Sequence, residues 1–303
     1  MTSLSVFRDV PIAQKLEGSL LKIYRQDDSS VKMFLAYKVC MTEGGHPWIA
    51  EDPSLNYEYL PLAGLKSFIQ ASLELLFGKH SQAIVEKRGG VHIVGESGAF
   101  QLGAQFLKIW RKNLKTVCII SCQNEQCGLI FRDMGFTVYE YSVWNSTDLC
   151  SDPSIFVEVL QHIPAGSILV IGNISDCRFT QNQWTKLMSI IKSKQIFPFF
   201  DIPCQGLSTG DLEEDSKFLQ HFVSLGFEFF CSQSLSKNFG IYDEGVGILV
   251  VAALSNQHLL CVISQLMDYV QALWGNPPAT GARIITSILC NPALFGEWPL
   301  RDV

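Results

Sequence analysis

From about residue 62 onward the chain alternates short apolar runs with segments of helical spacing, and this rhythm constrains the fold more than any other feature. The runs "GVHIVG", "TVCIIS", "TVYEYS", "GSILVIGN", "IFPFFDI", "EFFCSQS" and "GVGILVVAAL" have the length and the β-branched or aromatic content of strands. Between most of them lie helical patterns such as "LAGLKSFIQASLELLFG", "SGAFQLGAQFLKIWRK" and "EQCGLIFRDMGF". Apolar strands alternating with helices predict an α/β fold, with a mostly parallel sheet covered on both faces. A chain of 303 residues, 48% of them apolar, is long enough for one large core or two domains. The first 40 or so residues are less regular and predict an arm or a second unit.

Charge and composition exclude several classes of partner. A net charge of −6 gives no electrostatic case for nucleic acid or for an anionic membrane. The apolar run "GILVVAAL" is far too short to span a bilayer. The opening "MTSLSVFRDVPIAQ" lacks an apolar stretch with basic flanks, so no secretory signal is expected and a cytoplasmic location follows. Ten cysteines without a CxxC pair read as reduced thiols, mostly core filler, and no metal site is expected.

In open α/β sheets ligands gather at the carboxyl ends of the strands. Asn173 follows "SILVIG", Asp201 follows "IFPFF", and Ser234 and Lys237 follow "FEFF", in which Phe227 to Cys231 reads as a buried strand. Singly, each has a plain alternative: Asp201 as a turn or cap residue, Asn173 as a turn residue, Lys237 as a solvated loop lysine. Together they put a carboxylate, an amide, a hydroxyl and an amine on one rim. Two chemistries suit the lysine. Ser234-Leu-Ser-Lys237 matches the S-x-x-K pattern of serine acyl-transfer enzymes, but its companions S-D-N and K-T-G are absent and the serine follows a strand. The other is an imine between Lys237 and pyridoxal phosphate. That chemistry needs a lysine, an acid for the pyridine nitrogen and a phosphate cradle. Asp201 is the candidate acid. "GESGAF", from Gly95 through Ser97, is the candidate cradle, since a helix N-terminus offers free N–H groups and a positive dipole end.

These residues bring a family into view. "SQSLSKNFGIYDEGVG" resembles the lysine segment of the aspartate aminotransferases, which are fold-type I pyridoxal phosphate enzymes. "FPFFDIPCQGLSTGDLEED", "SLNYEYLPLAGL", "EKRGGVHIVGESGAFQLGAQFL" and "WGNPPATGARI" are similar in sequence and in order, so the likeness runs from about Val6 to Trp298. It is nearest to the animal cytosolic branch. The resemblance implies an N-terminal arm with part of a small domain over residues 1–40 and a large cofactor-binding domain over 41–303. It implies that Lys237 forms the imine, Asp201 pairs with the pyridine nitrogen, and Asn173 lies near the phenolic oxygen. Gly95, Ser97 and Ser234 would hold the phosphate, and Tyr59 would reach the phosphate of a neighbouring subunit in a homodimer. Amino acids and 2-oxo acids would be the substrates, with Lys237 shuttling the Cα proton.

The departures from the family pattern are equally specific. Gly245 stands where the family has a phosphate-clamping arginine, and Glu96 where it has a phosphate-loop glycine. Asn124 replaces the tryptophan stacked on the ring, and Cys204 the tyrosine at the phenolic oxygen. Gln271 replaces the arginine that reads a side-chain carboxylate across the dimer, and Lys38 a substrate-side glycine. The family's Asn-Pro-Thr-Gly turn reads Asn173-Ile-Ser-Asp176. The family also continues beyond "LFGEW" into most of the small domain and the arginine for the substrate α-carboxylate, so the resemblance implies a shortened chain with an incomplete small domain. Two expectations follow: an aminotransferase of the aspartate type with weak or altered activity, or a fold retained without catalysis as a dimerising partner.

Overall fold

A computed structural model of the chain describes residues 4–13, 24, 26–30, 59–78, 87–121, 126–147, 150–172, 177–207 and 209–298. The described strands and helices alternate, as the apolar rhythm predicts. In chain order they are α1 Lys66–Phe77, β1 Arg88–Val94, α2 Gly95–Trp110, β2 Thr116–Ile120, α3 Gln126–Asp133 and β3 Thr137–Tyr141. A small ribbon follows, β4 Trp144–Asn145 with β5 Cys150–Ser151. Then come α4 Pro153–His162, β6 Ile168–Ile171, α5 Gln181–Ser193, β7 Phe197–Ile202, α6 Leu212–Ser224 and β8 Phe229–Ser234. The last are β9 Val246–Ala252, α7 Asn256–Leu273, α8 Thr280–Cys290 and α9 Pro292–Glu297.

The main sheet has seven strands in the order β1-β9-β8-β7-β6-β2-β3. β3, β2, β6, β7 and β8 pair in parallel, while β9 runs antiparallel to both β8 and β1. β1 therefore points the same way as β8, and the carboxyl ends of six strands share one edge with the start of β9.

Alternate residues of each strand feed two separate cores, because successive side chains point to opposite faces. Cys118, Leu169, Phe200, Cys231 and Ile248 pack under α1, α4, α5, α6 and α8. Val117, Val170, Phe199, Phe230 and Leu249 pack under α2, α3 and α7. Burial on both faces explains why the strands read as continuous apolar runs rather than alternating ones. Phenylalanines join strand to strand and sheet to helix: Phe200 of β7 meets Phe229 of β8 edge-to-face at 5.1 Å and Phe222 of α6 at 5.0 Å.

The helices start where their sequences supply caps. Asp152 accepts the Ser154 N–H with Pro153 at the first position of α4. Thr180 and Gln183 close a capping box on α5, and Asp211 accepts from Glu213 and Glu214 at the start of α6. α2 has no side-chain cap, and that absence matters at the site. The expected division of the chain at residue 40 falls among residues outside those described.

Candidate active site

The site forms where the carboxyl ends of β7 and β8 meet the start of α2. Asp201 lies inside β7 opposite Ser232, and only 2% of it is exposed. The turn or cap alternative for Asp201 is thereby corrected: the β7–β8 ladder continues through Ile202, so the aspartate is a strand residue. β8 also sits further along than the expected Phe227 to Cys231, running to Ser234. Pairing with β9 fixes this register, with Ser232 opposite Leu249, Gln233 opposite Ile248 and Ser234 opposite Gly247. Ser234 is thus the last residue of a buried strand, three positions before Lys237.

The loop after β8 is held from both sides. The Leu235 N–H donates to the Val246 carbonyl at 3.0 Å, and the Val246 N–H donates to Ser236 Oγ at 2.7 Å. Asn238 Nδ2 donates to the Gln205 carbonyl at 2.6 Å, while Trp298 Nε1 donates to the Asn238 carbonyl at 3.1 Å. Phe239 stacks on Trp298 with ring centres 4.5 Å apart and planes 7° from parallel. Lys237 is therefore a part-buried turn residue on a backbone held from both sides.

Its amine is engaged. Lys237 Nζ lies 2.7 Å from Glu96 Oε1, both side chains being part-buried. Burial pulls the Lys237 pKa down, but the hydrogen bond and charge of Glu96, with smaller contributions from Cys204 and Asp201, outweigh it. The net effect holds the ammonium above the usual lysine range. Burial pushes the Cys204 thiol up, with Lys237 opposing and Glu96, Asp201 and Asp215 adding to the rise. Lys237, Glu96, Asp201 and Cys204 thus share one local field. Asp201 and Cys204 also line a small cleft with Gly172, the residue before Asn173.

The proposed cradle is closed on itself. α2 begins at Gly95, two residues before the Ser97 expected from the pattern, because Gly95 turns the chain out of β1 at φ +67. Its N–H donates to the Gly245 carbonyl at 2.5 Å, so a loop from elsewhere in the chain supplies the missing cap. Gly245 itself sits at φ +55, closing the 3-10 turn Tyr242–Glu244. Ser97 Oγ donates to Gln126 Oε1 at 2.7 Å.

The sequence-predicted residues therefore divide. Lys237, Asp201, Ser234, Gly95 and Ser97 come together on one edge of the sheet. Tyr59, 59% exposed, and Gln271, on α7, lie at the surface. Asn173, Asn124 and Lys38 lie outside the described residues. Sequence reasoning missed the buried amides behind the lysine loop. Gln205 Nε2 donates to the carbonyls of Leu75 and Leu212, both at 3.0 Å, and Gln233 Nε2 donates to Gln205 Oε1 at 3.0 Å. A glutamine in the middle of "FFCSQS" was the available signal, since a buried amide demands partners.

Tested against a pyridoxal-type group, the two ends of the site differ. The amine of Lys237 and the buried carboxylate of Asp201 suit an aldehyde and a protonated pyridine nitrogen. The anion end does not suit a phosphate: the Gly95 N–H and the Ser97 hydroxyl are already donating, and Glu96 adds an acid.

The sequence pattern of the family "Aminotransferase class I and II" matches residues 34–300. The chain belongs to that family. It is 86% identical to the mouse "Putative aspartate aminotransferase, cytoplasmic 2" over 98% of this chain and 77% of that one. The human protein of the same name is 70% identical over 98% of this chain and 74% of its own length. The chicken "Aspartate aminotransferase, cytoplasmic" is 35% identical over 97% and 77%. Among solved structures, a mitochondrial aspartate aminotransferase from Trypanosoma brucei superposes with a TM-score of 0.75 at 25% identity, covering 93% of this chain and 77% of that one. An aromatic-amino-acid aminotransferase from Burkholderia pseudomallei, covalently bound to pyridoxal phosphate, gives 0.74 at 25%, covering 99% and 79%. The aminotransferase fold read from the sequence is thus the fold of the chain. None of the described helices is long and apolar enough to cross a membrane.

Proposed function

We propose that this aminotransferase acts on amino acids and 2-oxo acids with a pyridoxal-type cofactor, in the cytoplasm, with weak or altered specificity relative to aspartate aminotransferases. The observation that carries the reading is Lys237 fixed at the end of β8, one strand from the buried Asp201. The curated relatives are named as cytoplasmic aspartate aminotransferases, and one structural neighbour carries pyridoxal phosphate covalently.

When bound, a pyridoxal group supplies an electron sink that makes a Cα proton acidic. The residues do the rest. Lys237 would hold such a group through its amine and would move the Cα proton. Asp201, buried beside the ladder, keeps a pyridine nitrogen protonated and fixes the ring. Ser234, Gly95 and Ser97 stand at the end of the pocket where the family resemblance places a phosphate. Asn173 is assigned to the phenolic oxygen. Tyr59, exposed on the surface, reaches a second subunit in a homodimer whose protomers comprise an arm over 1–40 and a large domain over 41–303.

A second reading, a fold kept for partnering rather than catalysis, draws on the ion pair that occupies Lys237 and on the neutral Gln271. A coupled assay with aspartate and 2-oxoglutarate, run beside Lys237→Ala, separates the two. Turnover that disappears in Lys237→Ala supports the first reading, and a parent with no turnover above that of Lys237→Ala supports the second.

A further inference from the structure

Two donors at the start of α2 that would face a phosphate are already committed, and the residue between them is acidic. The Gly95 N–H is taken by the Gly245 carbonyl at 2.5 Å, and the Ser97 hydroxyl by Gln126 at 2.7 Å. Glu96 sits in the first turn of the helix, where a carboxylate neutralises the positive dipole end that would otherwise attract an anion. Its carboxylate also reaches Lys237 at 2.7 Å. An incoming phosphate, close to a dianion at neutral pH, would have to break these contacts and lie against Glu96.

We propose that the pocket takes its aldehyde without the phosphate: a neutral aromatic aldehyde of the pyridoxal type condenses with Lys237, and Glu96 is the residue that excludes the phosphorylated form. The proposal rests on the reading of Lys237 as the imine-forming amine. The step balances as follows. Lys237 begins as an ammonium, and Glu96 Oε1, at hydrogen-bond distance, accepts one proton while the amine attacks the carbonyl carbon. The C–N bond forms and the carbonyl oxygen leaves as water, carrying two of the three original ammonium protons. The third proton remains on the imine nitrogen, where Glu96 becomes its counter-ion. No electrons are transferred. Glu96 thus stands in for the phosphate as the fixed negative charge of the site.

The test uses the full chain and two probes, pyridoxal phosphate and 5-deoxypyridoxal, which lacks both the phosphate and the hydroxymethyl group that would cyclise onto the aldehyde. Imine absorbance is titrated for each, divided by the value for free Nα-acetyl-lysine, and the imine is trapped with borohydride for peptide mapping. The normalised affinity should favour 5-deoxypyridoxal by about tenfold or more in the parent, since each tenfold corresponds to the loss of a single modest interaction. Glu96→Gln should shift that ratio back toward pyridoxal phosphate. A parent ratio at or below one overturns the proposal whatever the variant does, and so does a ratio unchanged in Glu96→Gln. A label on Lys237 with both aldehydes equally would overturn this proposal alone. A label that persists in Lys237→Ala would overturn the assignment of the lysine itself.

Discussion

The ring-facing and anion-facing ends of the pocket are built from different parts of the fold. The first is made of strand ends: Asp201 within β7, and the loop of Lys237 after β8, tied down by Asn238 and by the Phe239–Trp298 stack. The second is made where a helix begins and a turn ends, at Gly95, Glu96 and Gly245. In the first, the surrounding ladder and two cores dictate where Asp201 lies, and the lysine and the acid that the resemblance implies are both present, although Cys204 departs from it. In the second, Glu96 and Gly245 depart from it, and Glu96 decides the sign of the local charge. The proposed imine-forming groups, held by the sheet, and the proposed anion site, held by a helix terminus, are therefore separable.

Four measurements would break or sharpen this contrast. The largest effect concerns aspartate turnover. Positioning contributes about 7–11 kcal/mol to catalysis, and Gln271 offers a neutral hydrogen bond where the family places an arginine. We expect turnover of aspartate with 2-oxoglutarate roughly a thousandfold below that of an ordinary aspartate aminotransferase. A comparable rate would mean that the altered end does not limit the reaction.

The next effect probes the strand that leads into the altered end. His92 on β1 is fully buried against Phe68, neither ring nitrogen has a hydrogen-bond partner, and burial pushes its pKa down from 6.5 to about 4. Between those values the unfolded chain binds a proton that the folded chain does not, so stability falls as pH drops from about 6.5 to 4. The loss from this one residue should reach about 3 kcal/mol by pH 4. Urea unfolding of the parent and of His92→Phe at pH 7 and pH 4 should show the parent losing more by that amount. Parallel losses in the two proteins would remove His92 from the account.

Third, Asp201→Asn should weaken 5-deoxypyridoxal binding by about ten- to a hundredfold, the worth of a hydrogen bond between charged groups at roughly 1.5–3 kcal/mol. Glu96→Gln, which removes the counter-ion of the imine, should weaken it by a smaller factor. Equal losses in the two variants would mean that the two ends are not independent. The smallest effect is a shift in pH dependence. The groups facing Lys237 are Glu96, Cys204 and Asp201, and Glu96 is what holds its pKa high. In the parent the ion pair is intact below that raised pKa and is lost as pH rises through it. Imine formation in Glu96→Gln should therefore reach its midpoint at lower pH than in the parent, as read from the absorbance at each pH.

Much of this was legible in the sequence because it is local. The strand runs and the helical spacing reflect side-chain periodicity, and Lys237 and Asp201 follow apolar runs at the sheet edge where such residues gather. What local pattern could not carry is pairing. The β8 register is set by β9, so a strand expected over Phe227 to Cys231 lies further along. Glu228, read as part of that strand, instead turns to the opposite edge, where it accepts from Ser5 Oγ at 2.7 Å, from the Leu254 N–H at 2.9 Å and from the Val6 N–H. Glu96 was visible as an acid in a cradle, yet its partner Lys237 lies on another strand's loop. The Gly95–Gly245 hydrogen bond likewise joins segments that no sequence window contains together.

The left-handed backbone of Gly245 makes the missing arginine hard to restore in one step. A side chain at φ +55 carries a conformational penalty of about 1–2 kcal/mol. Its Cβ would stand 3.4 Å from the Gly95 nitrogen, at the near limit of ordinary van der Waals contact. Gly245→Arg made alone would thus strain the very turn that should present it. Any route back to a phosphate clamp has an order: the Tyr242–Glu244 turn must first be rebuilt so that residue 245 leaves the left-handed region, and only then can a guanidinium be introduced to advantage.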